Sequence, residues 1–190
     1  MTGSPDATEV AGRVERAIGR HLAGRERPPR LGAAMHHALF PGGARVRPAF
    51  AIRVALACGD DRPAVADALA AALEYLHSAS LVHDDLPCFD DAPMRRGRPS
   101  VHAAHGEAMA VLAGDGLIVL AFQALADVAA EAGSRLPALL AIVAESAGTP
   151  SGLVGGQALE AEDGCDLAPY HAAKTGALFA AAAAGGAAAA

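Results

Sequence analysis

Four carboxylates and two guanidiniums fall within thirteen residues of this chain: Asp84, Asp85, Asp90 and Asp91, followed by Arg95 and Arg96. Unpaired, the acids would repel one another. Beside a long apolar segment they suit a hard, oxygen-binding cation, and the neighbouring guanidiniums suit the anion that such a cation carries, most simply a phosphate. Exposed turns also collect aspartates as caps. A cap needs one, however, and here pairs stand at both ends of a segment interrupted by Pro87. A second arginine pair, Arg45 and Arg47, follows the turn Pro41-Gly42-Gly43-Ala44. Because guanidinium forks match phosphate oxygens bidentately, two separate arginine pairs fit two diphosphates bound apart.

The elements that must position these groups read as helices. Val10, Val14, Ile18 and Leu22 recur at four-residue steps behind the capping pair Asp6 and Glu9, which predicts a helix over 9–22 ended by Pro28-Pro29. A short helix over 31–39 leads into the Gly-rich turn, and Pro48 is placed to open a third helix that runs to Cys58. Pro63 opens a fourth, long helix that ends at the acidic cluster. On it His77, Ser80, Leu81 and Asp84 share one face by the three, four and seven spacing. Pro87 breaks the helix, so Asp90 and Asp91 ride on the exit loop, which continues through Gly97-Arg98-Pro99. Further helices are expected over 106–130, interrupted at Gly114-Asp115-Gly116, then over 137–147 and 152–162, with a last one from Leu167 into the Ala-rich end. With no strand pattern, no internal repeat and short loops, the fold class is an all-α helical bundle.

Composition limits the partners. The chain has 190 residues, 53% of them hydrophobic and only 4% aromatic, with no Trp, which favours one closely packed, Ala-rich helical core. A formal charge of −6 leaves no basic face for nucleic acid. Cys58, Cys88 and Cys165 stand singly, as reduced thiols in a cytoplasmic protein would. Neither a signal peptide nor a membrane span is expected, the Ala/Gly tail after Phe179 being too weakly hydrophobic. Lys174-Thr175-Gly176 and Gly155-Gly156-Gln157 also have ordinary readings, as a surface lysine before a kink and as close helix packing, and His77 could be a core histidine bonded to a carbonyl.

Taken in order, these pieces carry a resemblance. The run Leu81-Val82-His83-Asp84-Asp85-Leu86-Pro87-Cys88-Phe89-Asp90-Asp91, then Arg95-Arg96-Gly97-Arg98-Pro99, resembles the first aspartate-rich motif of the polyprenyl diphosphate synthases, the trans-prenyltransferases. The pieces Gly42-Gly43-Ala44-Arg45-Val46-Arg47-Pro48, Leu112-Ala113-Gly114-Asp115, Gly155-Gly156-Gln157-Ala158 and Lys174-Thr175-Gly176 agree in order. The resemblance implies a bundle of the isoprenoid synthase type around a central cavity, with residues 1–30 as an N-terminal helix and Pro linker and 31–190 as the synthase-like domain. It implies condensation of isopentenyl diphosphate with an allylic diphosphate, assisted by Mg2+, and a homodimer or a hetero-oligomer with a complete synthase. Asp84 and Asp90 would ligate the metal with Asp85 in support. Arg95, Lys174 and Thr175 map to the allylic diphosphate, and Arg47, His77 and Arg96 to isopentenyl diphosphate, with Arg45 close by. The chain-length positions are Ser80 and Ala79, small enough to pass a product longer than farnesyl, taken as geranylgeranyl diphosphate; Tyr75 lies further along the same helix.

Two departures stand out. The family's Gly-Gly-Lys turn reads Gly42-Gly43-Ala44, so one ammonium is missing. No second aspartate-rich motif occurs up to Ala190, and only Ala and Gly follow Phe179. The expectation is therefore a bundle incomplete at its C-terminus, with a last helix that has little to anchor it. The alternative to an autonomous synthase is a catalytically incomplete fragment, or a non-catalytic subunit modulating a complete enzyme.

Overall fold

A computed structural model describes residues 6–190; the first five residues of the expected N-terminal segment lie outside them. Eleven helices are described: α1 Ala7–Leu22, α2 Pro29–Leu39, α3 Val46–Cys58, α4 Pro63–Asp84, α5 Val101–His105, α6 Glu107–Asp127, α7 Ala129–Ala132, α8 Leu136–Ala147, α9 Leu153–Leu159, α10 Leu167–His171 and α11 Ala177–Ala189. The all-α expectation holds, with one small exception. Met94–Arg95 and Arg98–Pro99 form a two-residue antiparallel ladder, β1 and β2, that closes the arginine loop around Arg96 and Gly97.

Helix α4 is the axis of the bundle. It is apolar around nearly its whole circumference, and a helix of that kind must be enclosed on all sides. Its alanines let α1, α3, α6 and α11 approach closely. Val10, Val14 and Ile18 of α1 enter the same core as Leu69 and Leu73 of α4. Asp6 caps α1 by accepting the Glu9 N–H at 2.7 Å.

Three expectations are corrected. Pro48 does not open α3, which starts at Val46; it still lies in the first turn, where no helical acceptor is required of its nitrogen. The Gly114-Asp115-Gly116 step does not interrupt α6, which runs unbroken from Glu107 to Asp127. Gly114 is needed there for contact, since a Cβ on it would fall 2.0 Å from His83 Nε2. By length and composition α6 could cross a membrane, yet Ala113, Leu117 and Leu120 are buried against the bundle. The Ala/Gly tail, finally, is anchored. Leu178, Ala181, Ala182 and Ala189 of α11 are buried, and a Cβ on Gly186 would come within 2.6 Å of the Ala51 carbonyl oxygen. What looked like a helix without grip is one whose lack of side chains permits backbone contact.

Candidate active site

Asp84 is the last residue of α4, so its position is set by the packing of the whole helix. Its Oδ1 is buried with no hydrogen-bond partner, and its Oδ2 lies 3.4 Å from Lys174 Nζ. Desolvation raises the pKa of this carboxyl, and Lys174 opposes the rise. After Pro87 the chain folds back on the helix end: the Asp90 N–H donates to the Asp84 carbonyl at 2.9 Å and the Ala92 N–H to that of Asp85 at 3.1 Å. This return keeps the exposed Asp90 at the end of the helix that carries Asp84. Asp85 points elsewhere. It is almost fully buried and accepts from Arg95, Nε to Oδ1 at 2.9 Å with Nη2 on the same oxygen.

Lys174 arrives from the opposite wall. Between α10 and α11, residues Ala172–Gly176 form a single π turn that carries Lys174 and the exposed Thr175. Gly156 makes room for that turn, since a Cβ there would lie 2.5 Å from the Lys174 backbone nitrogen. Nζ donates to Glu160 Oε1 at 2.6 Å, and Tyr170 Oη and Gln157 Nε2 donate to the same carboxylate. Sequence reasoning missed Glu160 and Tyr170. The spacing of Gln157 and Glu160, one helical turn apart, is the signal that could have found the first.

A second cluster lies on another flank of α4. His77 Nε2 is 3.5 Å from Arg96 Nη2, and burial together with Arg47 and Arg96 pushes the imidazole pKa down to about 3. This histidine is neutral at ordinary pH. Arg47 is half-buried with its Nε unpartnered and its guanidinium 4.8 Å from the centre of the Phe179 ring. The glycine turn lies against this cluster, a Cβ on Gly43 falling 2.7 Å from Arg96 Cζ. Arg45 does not belong to it. It is buried in ion pairs with Glu74 (2.6 Å) and Glu15 (2.8 Å) and also donates to the Leu39 carbonyl (2.7 Å). A guanidinium so committed ties α1, α2 and α4 together and has no fork to offer a phosphate, so its assignment as a substrate contact is corrected.

Between α4, α6, α8 and α9 opens a largely apolar cavity of about 580 Å³. Ala79 and Ser80 line it, as the sequence suggests, with Asp84, Phe89 and Lys174 bordering it as well. Tyr75 does not. Its ring is fully buried on another side of α4, and its hydroxyl donates to the Ile18 carbonyl at 2.6 Å. Among the described residues, no group of three or more His, Cys, Asp or Glu converges as a preformed metal cage.

Residues 28–190 match the family model described as Polyprenyl synthetase. The chain belongs to that family. It is 52% identical over 173 residues to the geranylgeranyl diphosphate synthase of Cereibacter sphaeroides, a match covering 90% of this chain and 60% of that protein. It is 43% identical over 154 residues to the farnesyl diphosphate synthase of Geobacillus stearothermophilus, covering 78% and 50%. In three dimensions it resembles a geranyltransferase from Legionella pneumophila with a TM-score of 0.86 at 35% identity, over 96% of this chain and 67% of that one. The bundle is thus the all-α fold of the polyprenyl synthetases. The match spans 60% of the length of the Cereibacter sphaeroides and Rhodobacter capsulatus geranylgeranyl diphosphate synthases.

Proposed function

We propose that this polypeptide serves a prenyltransferase that joins isopentenyl diphosphate to an allylic diphosphate, with geranylgeranyl diphosphate as product. One observation carries the reading: an apolar cavity bordered by Asp84 and Lys174 lies on one side of α4, and a separate cluster of Arg47, His77 and Arg96 lies on another. An apolar tail fits the cavity, and two anionic heads fit the two polar clusters.

The donor chemistry at Asp84 fits Mg2+. Both candidate ligands, Asp84 and Asp90, offer carboxylate oxygen, and Mg2+ is commonly held by one or two carboxylates plus substrate phosphates. The buried, unpartnered Oδ1 of Asp84 is an acceptor that calls for a cation. When bound, the ion supplies charge that stabilises a departing diphosphate. The chain's own residues do the rest. Lys174, Thr175 and Arg95 hold the allylic diphosphate, with Lys174 released from Glu160 to do so. Asp85 aims Arg95 by binding one side of its guanidinium. Arg47 and Arg96 hold the isopentenyl diphosphate. Neutral His77 adds a hydrogen bond without adding charge, and the cavity wall excludes water from the allylic cation. The allylic C–O bond breaks, the isopentenyl double bond attacks the cation, and a proton is lost.

The working form is a homodimer built on α6. Val111, Leu112 and Val119 are each more than 40% exposed on a helix whose opposite face is already in the core.

The test is direct. The chain is incubated with Mg2+, isopentenyl diphosphate and farnesyl diphosphate, and products are followed by mass spectrometry. Geranylgeranyl diphosphate is expected, together with its loss in Asp84→Ala. No product from the unaltered chain would overturn autonomous synthesis by these residues.

A further inference from the structure

We propose that a second, small cavity behind the arginine loop binds a cluster of ordered waters, which joins Ser78 of α4 to Ser100 before α5 and so holds the loop that carries Arg95 and Arg96.

The cavity, about 40 Å³, lies between α4, the end of α2 and the β1–β2 loop. Ser78, Leu81, Val82 and Asp85 follow one another along α4 at steps of three and four, so a single face of the helix makes one wall. Ser100 belongs to the opposite wall. Ser78 is 2% exposed and Ser100 1%. Among the described residues neither hydroxyl has a hydrogen-bond partner.

Both hydroxyls forgo the partner their position offers. Ser80 and Ser146, also on helices, donate to the carbonyl three residues before them, at 2.8 and 2.9 Å. Ser78, on the same helix as Ser80, makes no such bond. Ser100 stands immediately before α5, where a side-chain oxygen could accept from a helix N–H as Asp6 does before α1 and Asp166 before α10, yet it caps nothing. Its backbone is already engaged: the N–H donates to the Pro93 carbonyl and its own carbonyl accepts from the Ala104 N–H, both at 3.0 Å. A buried hydroxyl left unpaired is costly, and two on one cavity call for a ligand that can both donate and accept.

Water has that chemistry and fits the space. At roughly 10–15 Å³ each, the cavity takes about two or three molecules. Arg95, Arg96 and Arg98 on its lining repel a cation. Against an anion, Arg95 is engaged by Asp85, whose carboxylate also lines the cavity, and Arg98 donates to the Phe40 carbonyl at 2.6 Å. The loop is tied to α2 directly, with His37 Nε2 at 2.9 Å from the Pro99 carbonyl. Its ties to α4 run through Arg95 on Asp85 and Arg96 beside His77. Water between Ser78 and Ser100 adds a third, at the far end of the ladder. On the reading of the site given above, this joint helps set where the two arginines meet their diphosphates, but the joint itself needs no substrate.

A high-resolution crystal structure of the chain, from crystals soaked in sodium bromide, tests the ligand. Water density within hydrogen-bond distance of both Oγ atoms is expected, with no bromide signal. A dry cavity, hydroxyls turned onto their own helices, or bromide between them would overturn the proposal. Amide hydrogen exchange tests the joint. In Ser78→Ala and in Ser100→Ala the amides of residues 94–100 should exchange up to about tenfold faster, and the double variant should be no faster than the faster single one, since either change breaks the same bridge. Ser146→Ala, which removes a hydroxyl bonded within its own helix, should leave those amides unchanged. Unaltered exchange in both single variants, or additive effects in the double, would overturn the joint. The functional reading fails separately, if the unaltered chain shows no Mg2+-dependent affinity for inorganic pyrophosphate.

Discussion

Lys174 and Asp84 face each other at the cavity's polar end, Nζ to Oδ2 at 3.4 Å, from elements that share no sequence neighbourhood. The lysine is at the same time bound to Glu160 at 2.6 Å. Its charge is therefore stored between two carboxylates until an anion competes for it. Lys174→Ala should raise the KM for the allylic diphosphate by about tenfold or more, the worth of one charge-assisted phosphate contact, and leave the KM for isopentenyl diphosphate near its original value. Steady-state kinetics with each substrate varied in turn would reveal the asymmetry, and equal shifts in both would contradict the assignment.

Arg45 and Arg47 stand two residues apart and should behave oppositely. Removing Arg45 leaves Glu74, itself 2% exposed, as an uncompensated buried charge. Arg45→Met should therefore cost about 3–5 kcal/mol of stability, seen as a clear fall in the urea midpoint. Arg47→Met should change that midpoint little and raise the KM for isopentenyl diphosphate. If the two readouts exchanged places, the structural role would pass to Arg47 and the substrate contact to Arg45.

His77 makes stability depend on pH. Its folded pKa, near 3, lies below the usual 6.5, so between those values the unfolded chain binds the extra proton. Stability then rises with pH across the window and is lost as pH falls below about 6.5. Urea midpoints at pH 7, 6 and 5 should decline in sequence, and the decline should flatten in His77→Gln. A slope identical in the variant would assign the effect to other groups.

The α6 face is tested by charge. Val119, 55% exposed, should sit inside a dimer contact, so Val119→Glu should convert the dimer to monomer in light scattering at micromolar concentration. A monomer before substitution would remove the premise.

Gly186 lies against the Ala51 carbonyl oxygen, where an added Cβ would be 2.6 Å away. Gly186→Val should lower stability by about 1–3 kcal/mol through overpacking, or several degrees in Tm. An unchanged Tm would mean that α11 floats rather than docks.

Much of this architecture was legible from residue order. The four-residue apolar step of α1, the proline opening α4 and the proline after its end all mark boundaries that local chemistry sets. Helical spacing put His77, Ser80, Leu81 and Asp84 on one face; Ser80 and Asp84 do share the cavity, whereas His77 turns to Arg96 instead, because a face spanning four such positions is wider than the cavity it borders. The tail was misjudged because composition reports side chains, whereas α11 is held by backbone proximity that small residues permit. Gly114 was read as a break for the same reason, when the partner it admits is the His83 ring on another helix. Arg45 and Arg47 look equivalent in sequence. Glu15 and Glu74, thirty residues before and twenty-nine after Arg45, distinguish them by pairing with it. Tyr170 was out of reach because its importance comes from the Glu160 carboxylate it faces, and no local spacing encodes that.

Helix α4 ends in Asp84, lines the cavity with Ala79 and Ser80, and turns His77 toward the arginines. On the proposed reading a single rod thus carries the carboxylate of the allylic site, one wall of the cavity and one edge of the second anion site, and their separations are fixed by helical pitch. One inserted residue between His77 and Asp84 would rotate everything beyond it by about 100° and advance it by about 1.5 Å. No repacking of neighbours can undo a phase error of that size. Along this stretch substitutions can tune the site gradually, whereas insertions and deletions can only dismantle it.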